Sequence, residues 1–194
     1  MVRNANISDI NSIVAIHFSE LNSDFLPSLG IKFLSLLHFS FFNNKNTYVG
    51  VASSHDNIQG FIVGSCDFNS AFKEIICKDF IKYIFILLPQ VIKRPILLKF
   101  FLDTLLYSQK TNDKIKTELV IIAISKKYHR KGIGKHLVFA LEKYLLNKRI
   151  KEYKVSVNSN NLSANMFYAS LNFKKVYDFS LYGRLINLYT KKIK

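Results

Sequence analysis

Glu118-Leu119-Val120-Ile121-Ile122-Ala123-Ile124 runs almost directly into Tyr128-His129-Arg130-Lys131-Gly132-Ile133-Gly134, and the join between the two decides the fold. The first stretch is a nearly continuous apolar β run, the pattern of a strand covered on both faces. The second opens a helix whose Leu137, Val138, Leu141, Tyr144 and Leu145 recur on one stripe. Strand, glycine loop and helix start are therefore adjacent. Unpaired N–H groups in a first helical turn, together with the positive end of the helix dipole, make a seat for phosphate. Glycine at 132 and 134 lets a phosphate approach the backbone without a Cβ in the way. Lys126, Lys127, Arg130, Lys131 and Lys135 add a screened attraction. A lone Gly-Ile-Gly also fits an ordinary βα turn with a solvated basic rim. Neither the Walker pattern nor the three-glycine dinucleotide fingerprint is present, which argues against a nucleoside triphosphate or NAD site.

A second segment follows at a fixed distance: Asn161-Leu162-Ser163-Ala164-Asn165-Met166-Phe167-Tyr168, then Leu171-Asn172-Phe173-Lys174-Lys175-Val176. The first loop resembles the Arg/Gln-x-x-Gly-x-Gly/Ala pyrophosphate loop of the GNAT acetyltransferases. The second segment is similar to that family's Asn-x-x-Ala-x-x-Phe-Tyr-x-x-x-Gly-Phe stretch. Two such matches in order, on one strand-helix-strand-helix-strand frame, are more specific than either alone. The resemblance is strong over Glu118 to Val176, weaker over Val2 to Asp67, and absent from Ala71 to Asp113. There are two departures: His129 stands where Arg or Gln is usual, and Asn172 stands where Gly precedes Phe, a mild change because Asn tolerates a left-handed backbone.

The resemblance implies an N-acyltransferase that moves an acetyl group from acetyl-coenzyme A to a primary amine by direct attack. It implies that Ile122, Ala123 and Ile124 hold the pantetheine arm, and that His129, Arg130, Lys131, Gly132, Ile133, Gly134 and Lys135 surround the pyrophosphate. Asn161 corresponds to a cofactor-contacting Asn, and equally suits a plain helix N-cap. Tyr168 corresponds to the general acid that protonates the leaving thiolate, although a Tyr on such a helix can also be packing surface. Glu118 corresponds to a catalytic base. Strict two-residue alternation would place it on the face of Val120, Ile122 and Ile124, while a Glu opening a strand is often only a solvated end residue.

Outward from this segment, the chain reads as a single domain over residues 1–194, of mixed α/β (α+β) class. The expected architecture is a mostly antiparallel central sheet flanked by helices. Met1 to Asn6 is a short strand, and Ser8 and Asp9 cap a helix carrying Ile10, Ile13, Val14 and Leu21, with His17 on the same face as a core or edge residue. Ile31 to Phe42 is apolar around its circumference and must be covered on more than one side. Thr47 to Ser53 and Ile58 to Asp67 form a hairpin through Ser54, His55, Asp56 and Asn57. Gly60 and Gly64 permit a close approach there. A helical insertion at about 71–113 is expected to hold two helices, broken at Pro89 and again at Lys93-Arg94-Pro95. Packing against the core, a lid, a dimer face and a membrane-surface pair are all open to it. Beyond Asn147, strands are expected at Glu152 to Val157, Phe173 to Phe179 and Leu185 to Thr190, with a helix at Leu162 to Leu171.

Composition sets the outer limits. The 194 residues are 49% hydrophobic and 21% charged, enough for one buried core and unlike a disordered chain. A net charge of +15 favours phosphorylated small molecules, polyanions or anionic membranes, and AT-rich codon usage would also produce such a Lys-, Asn- and Ile-rich chain. Cys66 and Cys77 make no disulfide framework, and no Cys/His cluster has metal-ligand spacing, so no metal is expected. With no secretory signal seen, the expected compartment is the cytoplasm. The acceptor is not written in these motifs. Phe33 to Phe42 and the insertion loosely resemble acetyltransferases of surface-polysaccharide synthesis, which points to a nucleotide-linked amino sugar; protein or peptide amines, amino acids and polyamines remain alternatives, a cationic polyamine fitting a +15 chain poorly, and homodimerisation is open. The rival class is a non-catalytic basic module for nucleic acid or anionic membrane, for which no nucleic-acid motif beyond charge is present.

Overall fold

The computed structural model describes residues 1–55, 57–107 and 114–193; Asp56 of the expected turn and residues 108–113 of the expected insertion lie outside them. Among the described residues seven strands form one sheet: β1 (Val2–Asn4), β2 (Thr47–Ser54), β3 (Asn57–Ser65), β4 (Glu118–Ile124), β5 (Glu152–Asn158), β6 (Lys174–Leu181) and β7 (Arg184–Lys192). Their order is β1-β2-β3-β4-β5-β7-β6. Every neighbouring pair is antiparallel except β4 and β5. This is the mixed, mostly antiparallel α/β sheet that the pattern of elements implies.

Helices cover both faces. On one side lie α1 (Ile10–Glu20), the single-turn α2 (Phe25–Ser28) and α3 (Ile31–Asn43), followed by α4 (Phe68–Lys78), α5 (Phe80–Lys93) and α6 (Ile96–Leu105). Their buried residues, among them Ile13, Leu34, Leu37, Phe41 and Tyr83, close on Val51, Phe61, Val63, Ile121 and Ala123 of the sheet. On the other side, α7 (Ile133–Asn147) and α8 (Leu162–Ser170) bury Leu137, Val138, Leu141 and Tyr168 against Tyr48, Ile62, Tyr153 and Val155. The apolar stripe of α7 explains its place: Leu137, Leu141 and Leu145 are fully buried on the sheet.

Local chemistry sets several boundaries. A turn at Ile7–Asp9 precedes α1, and the Asp9 carboxylate accepts the Asn6 N–H at 2.7 Å while also binding Arg3. Asp67 caps α4 by accepting the Ser70 N–H. The insertion differs from its expected form: it begins at Phe68 and holds three described helices rather than two, and Pro89 lies inside α5 instead of ending it. Pro89 and Phe85, one turn earlier, are both exposed, so the carbonyl the proline leaves without a donor sits on the water-facing side.

Gly64 has a packing role. A Cβ there would lie 2.3 Å from Cδ1 of Leu141, so the missing side chain is what lets α7 rest on β3. At Gly60 the obstacle is the Ala123 carbonyl of β4, 2.8 Å away. Both glycines serve close approach within the fold.

α1 and α3 are joined by a buried pair, His17 Nδ1 to His38 Nε2 at 2.8 Å. Both rings are almost inaccessible and stand near Phe61. Burial lowers His17 to about 4 and His38 to about 3, so both are neutral at pH 7. His38 Nδ1 is buried and makes no hydrogen bond among the described residues. A proton on that nitrogen would be a buried unpaired N–H, so the proton belongs on Nε2, donated to His17. His17 then carries its own proton on Nε2.

Two consequences are measurable. Gly64→Val should destabilise the fold by about 1 to 3 kcal/mol through overpacking against Leu141, read as a lower denaturation midpoint with an unchanged slope. The histidines bind protons more weakly when folded than when unfolded, so their contribution is intact above about pH 6.5 and is lost as pH falls toward 4. Stability should drop by on the order of 2 kcal/mol per imidazole between pH 7 and 5. A His17→Phe, His38→Phe double variant should flatten that slope; an equally steep slope would assign it to other groups.

Candidate active site

The site begins with an irregularity in β4. The β3–β4 ladder runs in register from Gly60 opposite Ile124 to Val63 opposite Ile121, then shifts so that Gly64 faces Leu119. Val120 is the extra residue of a β-bulge, which bends the bulged strand and breaks its alternation. Leu119 consequently packs with Ile122 and Ile124 on the α7 side, while Val120, Ile121 and Ala123 pack toward α1 and α3. Glu118 is thus not on the face of Ile122 and Ile124, as uninterrupted alternation required; the bulge turns it the other way.

β4 and β5 pair only at Glu118 opposite Lys154 and then part. Between them opens a cleft of about 450 Å³, walled by Leu119 to Ile122 on one side and Val155 to Asn158 on the other. Asn161, Ala164 and Tyr168 from the start and middle of α8 complete one wall. His17, Phe25, Phe100 and Tyr182 also line it, and the half-exposed Asp24 and Arg184 stand at its mouth.

At the end of β4 the chain makes one turn, Lys126–Tyr128, and then the glycine loop. Arg130 and Gly132 take left-handed backbone conformations (φ +59° and +73°), and a Cβ at Gly132 would meet only the His136 ring, at an ordinary 4.0 Å. Gly132 is needed for its conformation. Gly134 has a different reason from the expected one: its Cβ would lie 3.1 Å from the Phe167 ring, so this glycine lets α7 and α8 close together. Among the described residues no side chain caps α7, whose first-turn amides at Ile133, Gly134 and Lys135 face outward from a fifteen-residue helix. His129, Arg130, Lys131 and Lys135 are exposed or half-exposed beside them. Lys127 and Lys131 lie over the Tyr128 ring, at 5.0 and 5.4 Å from its centroid. The His129 side chain turns back, its Nε2–H donating to the Ile124 carbonyl at 2.8 Å. It ties the loop to the end of β4.

In α8, Asn161 is the N-cap, accepting the Ala164 N–H at 3.0 Å while also lining the cleft. Tyr168 is 4% exposed, packs against Phe167, Phe173 and Tyr189, and lines the cleft. Burial holds its phenol above the ordinary range, so it keeps its proton at neutral pH. Asn172 is left-handed at φ +64°, as its place in the motif requires. Sequence reasoning does not single out Asn165, whose amide Nδ2 donates to the Asn158 and Asn161 carbonyls and whose Oδ1 accepts from Asn187 and Tyr189. It lashes α8 to β5 and β7. Its one signal in the sequence is a polar residue amid an apolar helix.

Glu118 lies behind the cleft wall, 5% exposed. The Tyr107 hydroxyl donates to its Oε1 at 2.7 Å, and the same hydroxyl lies 2.6 Å from Ser156 Oγ, a residue of the wall. Tyr107 has one proton and gives it to Glu118, so Ser156 is the donor to Tyr107. The hydrogen bonds point from cleft to carboxylate. Tyr107 comes from the far end of the insertion, where no motif marks it.

At the mouth, Arg184 donates to the Ser23 carbonyl at 3.0 Å and stands 3.8 Å from the Asp24 carboxylate. Burial raises the Asp24 pKa, partly offset by Arg184. The Tyr182 hydroxyl is bound to Thr104 at 2.7 Å.

Comparison with solved structures finds the same fold in several acetyltransferases. The PaiA N-acetyltransferase of Thermoplasma acidophilum, in complex with coenzyme A, superposes with a TM-score of 0.65 at 16% identity, over 99% of this chain and 98% of that one. A ribosomal-protein-alanine N-acetyltransferase of Brucella melitensis gives 0.65 at 12% identity, over 100% and 99%. An N-acetyltransferase of Staphylococcus aureus gives 0.64 at 16%, over 100% and 98%. Such identities establish a shared fold. Comparison with curated proteins gives no significant match. A sequence profile described as the acetyltransferase (GNAT) family matches residues 17–173, most of the chain, and the protein therefore belongs to the GNAT acetyltransferase family.

Proposed function

We propose that the chain transfers the acetyl group of acetyl-coenzyme A to a primary amine that enters the cleft from the side of α1 and the β6–β7 turn. The supporting observation is the parting of β4 and β5: it opens a cleft with a polar mouth and Tyr168 in its wall, and β4 runs on from that cleft toward the uncapped start of α7. In this reading the amides of Ile133, Gly134 and Lys135, with Arg130, Lys131 and Lys135, hold the diphosphate. The exposed edge of β4 at Ile122, Ala123 and Ile124 holds the pantetheine amides, the Ile124 carbonyl being already bonded to His129.

An amine must lose its proton before it attacks a thioester carbonyl. His17 is poorly suited to take it, since its cleft-side nitrogen carries a proton and its basicity is suppressed by burial. The chain Ser156, Tyr107, Glu118 is suited: Ser156 accepts the amine proton and passes its own to Tyr107, which passes its own to Glu118. The nitrogen then bonds the carbonyl carbon and the carbon–sulfur bond breaks; Tyr168 gives its proton to the departing thiolate and regains one from the acylated nitrogen, which sheds its surplus proton to become the neutral amide. His17 is left as a hydrogen-bond donor for an oxygen of the acceptor.

The mouth favours an ammonium-bearing acceptor that carries no phosphate. Its carboxylate, Asp24, stands beside the entry, and the one Arg or Lys among the described lining residues, Arg184, is occupied by Ser23 and Asp24. That lining has little to offer the diphosphate of a nucleotide-linked sugar. A peptide or protein amine is the better fit, the class named for the Brucella neighbour.

Acetyl-coenzyme A should raise the melting temperature of the chain, and an acetyl-release screen across amines should show turnover. No thermal shift at millimolar acetyl-coenzyme A would sink the assignment. Tyr168→Phe should lower kcat by about 10² to 10⁴ with coenzyme A affinity nearly unchanged. Tyr107→Phe should lower kcat most at the acid end of the pH profile, where the amine is most fully protonated, with coenzyme A binding again intact; an unaltered profile would remove the relay. Asp24→Asn should raise the acceptor KM and leave kcat near its original value.

A further inference from the structure

α5 and α6 carry apolar residues on two sides. One side is accounted for: Tyr83, Leu87 and Leu97 are buried in the core beneath α1 and α3. The other presents Ile81, Ile84, Phe85, Leu88 and Ile92 along α5, continued by Ile96, Leu98 and Leu102 on α6. Phe85 is 73% exposed and Ile92 72%, and roughly half of the large apolar side chains open to solvent among the described residues lie between Phe80 and Leu106. Scattered apolar residues on a surface need no account, whereas a contiguous patch across two helices does.

The charges around the patch identify its occupant. Lys93, Arg94 and Lys99 are exposed at the junction and on α6, and make no ion pair among the described residues. Lys82 is paired with Asp79. A second copy of the chain would bring the same cations, and another +15, against this rim. A zwitterionic or apolar surface would leave the rim unanswered. An anionic lipid surface satisfies both parts, apolar residues entering the acyl boundary while Lys and Arg meet the headgroups. No helix among the described residues is long and apolar enough to cross a membrane. The fourteen residues of α5 span only about 21 Å, suited to lying in the plane.

We propose that the α5–α6 face docks on the surface of an anionic phospholipid bilayer. It does so independently of the acetyl-transfer reading, since none of these patch residues lines the cleft.

The chain contains no tryptophan, so Phe85→Trp places a sole reporter on the patch, and Phe139→Trp places one on α7 at a solvent-facing site as control. The full-length variants are titrated with vesicles of phosphatidylcholine alone and with vesicles containing phosphatidylglycerol. The expected result is a blue shift of the patch reporter, quenched by lipid-borne quenchers, only with the anionic vesicles and diminished by added salt, while the α7 reporter stays unshifted. In co-sedimentation with the same vesicles, Phe85→Asp with Ile92→Asp should reduce the partition coefficient about tenfold or more, with thermal melting of the variant confirming that it is folded. Lys93→Glu with Lys99→Glu should do likewise. A patch reporter that stays silent with anionic vesicles overturns the proposal. So does equal binding by the Asp variant, which would mean diffuse attraction to a +15 chain. A wild-type dimer that Phe85→Asp converts to monomer would assign the face to a second copy instead.

Discussion

A parallel strand pair that touches at one position governs this molecule. β4 and β5 share the Glu118–Lys154 contact and then part, leaving two rows of main-chain N–H and C=O groups without a ladder. Buried backbone polar groups are rarely left unpaired, so such a gap persists only where a ligand or water can fill it and the surroundings hold the strands apart. The bulge at Val120 bends β4 away on one side. On the other, β5 is committed to β7 over its whole length, from Glu152 opposite Lys192 to Asn158 opposite Ile186. Asn165 then fastens α8 across the end of that pair. The two elements that follow the parted ends, the glycine loop after β4 and the Asn161 cap after β5, arrive at the same opening because both leave carboxyl ends of parallel strands. Ligand sites of open α/β sheets form there for the same reason.

The legible parts of the fold are those whose reason is local. An apolar stripe of period 3.6 places α7, a β-branched run places β4, and Asn or Asp before a helix marks its cap, so these are readable to within a residue or two. The loop is readable because a left-handed position demands Gly132 whatever else is present. Gly134 has a cause that the sequence hides, since its neighbour Phe167 lies thirty-three positions along the chain and only the packing of α7 on α8 reveals the contact. Alternation assigns Glu118 to one face, and one inserted residue reverses it. A bulge of this kind has no signature in a run of Leu, Val and Ile, because all of them suit either face. Pro89 reads as a breaker, yet on the solvent side a missing donor is cheap.

The residues that are not legible share a feature: their function is created by distance in sequence. Tyr107 reaches Glu118 and Ser156 from the end of the insertion, and Thr104 and Phe100 meet Tyr182 from the same element. Taken separately, His17 is a core histidine and His38 one member of an apolar helix. Their contact decides the tautomer, and the tautomer decides that His17 faces the cleft as a donor. Pair chemistry of this kind is invisible until a fold brings the partners within hydrogen-bond reach.

The insertion carries no family motif, yet it supplies part of the site and the whole of the apolar α5–α6 face. Those two roles are compatible because they use opposite sides of the same helices: Tyr83, Leu87 and Leu97 are fixed in the core, which leaves the outward stripe free to vary without disturbing the cleft. The net charge divides in a similar way. At the mouth of the cleft, Arg184 is tied to Asp24 and Ser23, so its charge is largely answered there. Two groups of solvent-facing cations stand apart from the cleft, one on the glycine loop and one at the α5–α6 junction. A screened field reaches only about 8 to 10 Å in physiological salt. Each cluster therefore acts on its own neighbourhood, and the net charge of a strongly basic chain says little about the field inside its cleft.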